Sequence, residues 1–126
     1  NIFAGTYDGV FLSSDNGANW SKVNTGIPAS TYVGSLVVLG NSFYAGTDDG
    51  VYFSNNNGSN WNTANTGLKS GSVYALCVKG TNLFLGNYYG AFLSTNYGIK
   101  LLLKLFMSVF YKIYQILYTR KSSFCI

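Results

Sequence analysis

Short apolar runs, separated by clusters of Gly, Asn, Asp and Ser, fill the first hundred positions of the chain. The clearest set is Val33–Leu39, Phe43–Thr47, Val51–Ser54 and Trp61–Asn65. Each run holds four to seven residues rich in Val, Tyr, Phe and Leu, too short for a helix and suited to a β-strand. Asp8-Gly9 and Asp49-Gly50 fall between two such runs, where residues that tolerate a positive φ favour a tight hairpin. Four strands joined by turns within about forty residues predict one small antiparallel sheet.

The pattern recurs. Residues 2–26, IFAGTYDGVFLSSDNGANWSKVNTG, and residues 43–67, FYAGTDDGVYFSNNNGSNWNTANTG, match at 14 of 25 positions with an offset of 41. A third copy, LFLGNYYGAFLSTNYG at 83–98, follows at an offset of 40, and VGSLVVLGN (33–41) aligns with VYALCVKGT (73–81). A four-stranded repeat of this length predicts a β-propeller, each copy building one blade. The predicted fold class is therefore all-β: a partial propeller of two to three four-stranded antiparallel blades. It occupies 1–99, with blades near 1–26, 27–67 and 68–99, the first lacking its first strand and the third its fourth. The chain reads as a fragment of a larger propeller. Unpaired sheet edges should leave residues 1–98 alone marginally stable or prone to aggregate.

Within each copy the third run is followed by the pattern Ser-x-Asp-x-Gly-x-x-Trp. It is complete at Ser13, Asp15, Gly17 and Trp20. The second copy has Ser54, Asn56, Gly58 and Trp61; the third has Ser94, Asn96 and Gly98, with Leu101 where Trp is expected. Ser and Asp oxygens can accept hydrogen bonds from nearby turn amides, and Asn keeps such an oxygen. Gly17 and Gly58 can supply left-handed backbone, and each indole offers a large apolar surface to bury. These residues read as a structural lock, which requires Trp20 and Trp61 to have equivalent surroundings.

The motif resembles the Asp-box, or BNR repeat, of sialidases, the sortilin propeller and photosystem II assembly-factor-like propellers, over residues 1–98. That resemblance implies an extracellular or cell-surface protein engaged in protein assembly or polysaccharide contact. It also raises a rival, a sialidase- or glycoside-hydrolase-like propeller whose catalytic blades are absent. A sialidase-like site would need an arginine cluster, and the sole arginine is Arg120.

Topology places candidate ligand loops. In an up-and-down blade, turns between second and third strands lie at the end opposite the Ser-x-Asp turns. That end collects Tyr7, Asp8, Asp48, Asp49, Tyr88 and Tyr89, together with Tyr32 and Lys69 from the connections between blades. Tyr, Asp and Ser loops on a rigid scaffold suit recognition of a protein or a polysaccharide. The plain alternative is that Tyr and Asp simply favour these turns.

Composition narrows the chemistry. The chain has no His and no Glu, and its four acids are Asp8, Asp15, Asp48 and Asp49. The commonest general base is thus missing, and paired-carboxylate hydrolysis has little to draw on. No phosphate loop or His-based metal motif occurs, so no catalytic residue, metal or cofactor is assigned. Cys77 and Cys125 form no CxxC pair and no disulfide framework, and Cys77 is read as filling core volume. Residues 1–99 carry three lysines against four aspartates, a net charge of −1, so the body lacks the basic stripe of a nucleic-acid binder.

Residues 100–126 differ. They hold five cations, no acid and no Gly. Three readings stay open: a basic amphipathic helix on an anionic membrane, a membrane span over Leu101–Tyr118, or the product of a frameshift. A membrane partner follows only if this tail is genuine.

Overall fold

A computed structural model describes residues 1–69, 71–96 and 100–105, the last three by backbone alone. Among them there are eleven strands and no helix. The first sheet is built from β1 (Ile2–Thr6), β2 (Gly9–Ser13) and β3 (Ser21–Lys22), in the order β1-β2-β3. The second, β4-β5-β6-β7, comprises β4 (Val33–Leu39), β5 (Ser42–Thr47), β6 (Gly50–Ser54) and β7 (Asn62–Thr63). The third, β8-β9-β10-β11, comprises β8 (Val73–Lys79), β9 (Asn82–Asn87), β10 (Gly90–Ser94) and β11 (Leu102–Leu105). All pairings are antiparallel between sequence neighbours. This is a partial β-propeller of successive up-and-down blades.

The expectation that the third blade lacks its fourth strand is corrected. β11 pairs with β10 through Phe92↔Leu103 and Leu93↔Leu102, after a register shift between Ala91 and Phe92. Loss of Gly and Asn from the sequence hid this strand, but an apolar run can pair without them. Boundaries drawn at residue 99 therefore cut through the third blade. The three readings of the tail beyond residue 105 lie outside the described residues.

The turns between second and third strands share one register: Thr6↔Gly9, Thr47↔Gly50 and Asn87↔Gly90, each enclosing two residues. Positive φ falls on Gly9, Gly50 and Gly90 (97°, 114° and 137°), not on the aspartates before two of them. The aspartates are thus not needed for backbone conformation, and the third copy carries Tyr88-Tyr89 there instead.

Two apolar cores lie between the sheets. Between the first and second are Val10, Ile27, Val33, Ala45, Tyr52 and Trp61, with Phe3 and Phe43 in ring contact at 4.4 Å. Between the second and third are Tyr44, Val51, Val73, Leu76, Leu83, Phe92 and Leu101. Cys77 is half-buried in β8 and is not a free thiol, so it is not the simple core filler expected of it. Cys125 lies outside the described residues.

Trp20 and Trp61 prove to have unlike surroundings. Trp61 is 3% exposed, whereas Trp20 is 43% exposed. The sheets that hold them nevertheless fold alike, since β1-β2-β3 repeats the pairing of β5-β6-β7. The cause is position. Trp61 lies against the preceding sheet, where its backbone N–H donates to Thr25 O (2.8 Å) and its indole Nε1 to Val23 O (2.8 Å). Leu101 does the same one blade later, donating its N–H to Thr66 O (2.9 Å). No described sheet precedes the first, so the Trp20 indole turns to Gly17 O of its own turn (3.1 Å).

Candidate functional site

The two ends of the blades carry different chemistry. At one end are the Ser-x-Asp/Asn turns. Ser13 Oγ donates to Asp15 Oδ1 (2.8 Å) and accepts from Gly17 N (2.8 Å), while Asp15 Oδ1 accepts from Asn19 N (2.8 Å). The second copy repeats each bond: Ser54 Oγ to Asn56 Oδ1 (2.8 Å), Gly58 N to Ser54 Oγ (2.9 Å) and Asn60 N to Asn56 Oδ1 (3.0 Å). In the third, Ser94 Oγ donates to Asn96 Oδ1 (2.7 Å), and Asn96 Oδ1 accepts from Lys100 N (3.1 Å). Gly98 lies outside the described residues. Gly17 and Gly58 have positive φ (92° and 80°), as do Asn16 and Asn57 just before them (58° and 56°).

Asn in place of Asp thus keeps every bond made through Oδ1. What Asp15 adds is a second oxygen, which accepts from Asn19 Nδ2 (2.7 Å). Its carboxyl is lowered from 3.8 to about 2, by the Asn19 backbone first and then by the Asn19 and Ser13 side chains. A carboxyl depressed by folding stabilises the folded turn above its unfolded pKa. That contribution fades as the pH falls from about 4 towards about 2.

At the other end the structure gathers the predicted loop residues. Tyr7 and Tyr32 lie ring to ring at 4.6 Å, Tyr88 and Tyr89 edge to face at 5.6 Å, and Lys69 Nζ stands 5.5 Å from the Tyr89 ring. All four tyrosines are exposed, Tyr7 to 82%. Asp48 ties its turn to the connection before its blade, since its Oδ1 accepts from Tyr32 N (3.1 Å) and its N–H donates to Tyr32 O (3.2 Å). It also binds the connection after its blade, through Ser72 Oγ to Asp48 O (3.4 Å). Asp8 pairs with Lys22 at 2.7 Å, and Asp49 Oδ2 accepts from Tyr52 OH at 2.7 Å.

A shallow cleft of about 270 Å³ opens beside Asp49, lined by Tyr52, Thr63, Asn65, Leu68 and Gly71. Sequence reasoning did not single out Tyr52, Thr63 or Asn65. The available signal was a departure from the repeat: position 22 is Lys where position 63 is Thr, and position 11 is Phe where position 52 is Tyr. Tyr52 is almost wholly buried, and its hydroxyl is pushed up to about 12 by that burial, by its bond to Asp49 and by the charges of Asp49 and Asp48. Asn65 holds the floor, its Oδ1 accepting from Val51 N (2.8 Å), as Asn24 Oδ1 accepts from Val10 N (2.7 Å).

A family model described as DUF6242 beta propeller domain matches residues 3–101, which takes in all three blades as far as Leu101. No curated protein matches the chain, and no solved structure does.

Proposed function

The chain belongs to the DUF6242 beta propeller domain family, and from that premise we propose a non-catalytic recognition module of the Asp-box type, contacting protein or polysaccharide through its loop face. The observation that carries this reading is two pairs of exposed tyrosines at the same end of the blades, Tyr7 against Tyr32 from the first blade and the connection into the second, and Tyr88 against Tyr89 in the third. Tyr has few rotatable bonds and an amphipathic ring, so it offers contact area at low entropic cost. Strand pairing fixes the turns below it. An exported or cell-surface location suits a low-charge body rich in Asn, Gly, Ser and Tyr.

Affinity electrophoresis through gels containing soluble glucan, xylan or mannan tests the polysaccharide arm. Tyr7→Ala combined with Tyr88→Ala should abolish any retardation while leaving the fold unchanged, because both rings are exposed. Asn19→Ala, at the opposite end, should leave retardation intact. Retardation insensitive to the tyrosine pair, or accompanied by hydrolysis of the polysaccharide, would contradict the proposal; retardation absent from all three gels would remove its polysaccharide arm.

A further inference from the structure

We infer that the cleft beside Asp49 binds an alkylammonium group, the head of a lysine side chain or of a small amine. The first blade already contains the complex. There Lys22 lies opposite Phe11 in the strand pairing, and its ammonium sits 2.7 Å from the Asp8 carboxylate. Thr63 lies opposite Tyr52 in the same register, and Asp49 occupies the place of Asp8. Two side chains differ: Thr63 stands for Lys22, and Tyr52 stands for Phe11 and donates its hydroxyl to one oxygen of Asp49. Where the first blade supplies the ammonium from its own chain, the second has a short Thr side chain and open volume.

The rest of the cleft fits such a guest. Tyr52 OH donates to Asp49 Oδ2, which fixes the carboxylate and occupies one of its two oxygens. Asp48 beside it adds a second negative charge. Leu68 and the Tyr52 ring offer apolar surface for the methylene stem, which long cationic side chains prefer to bury while the head stays polar. Lys69 stands over the Tyr89 ring, and no ion pair reaches Asp49 among the described residues. In the third blade Tyr89 replaces the acid, so the second blade alone combines the carboxylate with the vacancy.

The inference rests on the loop face being the recognition face, yet its test is separate, being read at the Asp49 cleft and not at the tyrosine rim. The ¹⁵N-labelled chain is titrated with cadaverine, with Nα-acetyl-lysine methylamide, and with the Nε-acetylated form of the latter. Saturable amide shifts at Gly50, Thr63, Asn65 and Leu68 are expected with both charged probes and none with the acetylated one. Tighter binding of the lysine amide assigns the site to a protein side chain; tighter binding of cadaverine assigns it to a free amine. Asp49→Asn should weaken binding about tenfold or more, since a hydrogen bond to a charged partner is lost. Thr63→Lys should abolish it by supplying the ammonium internally, and at this exposed position the variant keeps the test valid if Asp49→Asn disturbs the fold. Shifts that do not saturate, that survive both substitutions, or that appear equally with the acetylated probe would overturn the inference.

Discussion

Trp61→Ala should lower the melting temperature by about 10–20 °C, corresponding to about 3–5 kcal/mol, while Trp20→Ala should cost about 1 kcal/mol or less. The two residues occupy the same place in the repeat, so motif and strand propensity cannot separate them. Surroundings do. Trp61 fills the core between the first and second sheets, and its indole satisfies Val23 O across that interface. Alanine would leave both a cavity and an unpaired carbonyl. Trp20 caps only its own turn, and much of its ring already meets solvent. Thermal melts of the two variants, followed by circular dichroism, decide the matter. Equal losses would mean that the indole acts within its turn and not between blades.

Gly26→Ala should be comparably damaging, although it adds a single methyl group. Gly26 has φ of 95°, and a Cβ built on it would stand 2.0 Å from the carbonyl oxygen of Trp61. That oxygen belongs to the backbone and cannot rotate away. The left-handed conformation alone costs an L-residue about 1–2 kcal/mol. With the collision the loss should be on the order of 3 kcal/mol. Gly67 stands in the same relation to Leu101 O, at 2.2 Å. Chemical denaturation of Gly26→Ala and Gly67→Ala should therefore show similar shifts in midpoint. A neutral Gly26→Ala would mean that the second sheet does not approach the Thr25-Gly26 turn this closely.

The repeat made most of the fold legible. Strand runs, turns and the serine-centred lock depend on local residue types, and these recur visibly at 2–26, 43–67 and 83–98. Three things were not local and were missed. The unequal burial of Trp20 and Trp61 depends on which sheet stands in front, which no single copy records. The strand β11 lacks the preceding Trp and the following Asn-Thr-Gly that flank its counterparts β3 and β7, so composition concealed what backbone pairing and a buried Leu101 reveal. The cleft at Asp49 lies where Thr63 stands in place of the first blade's Lys22, and a reading tuned to what repeats passes over what does not. The tyrosine rim was legible because up-and-down topology alone sends Tyr7, Tyr32, Tyr88 and Tyr89 to one end.

Hydrogen exchange at the two indole Nε1–H groups reads blade-on-blade docking without altering a residue. Both protons are resolved in a ¹H–¹⁵N spectrum and report on different acceptors: Val23 O of the preceding sheet for Trp61, Gly17 O of its own turn for Trp20. If equivalent modules are held together face to face, the Trp61 indole exchanges only when the sheets part, orders of magnitude more slowly than that of Trp20. Matching rates at the two sites, both near the value for an exposed indole, would mean that the sheets do not pack on one another as described.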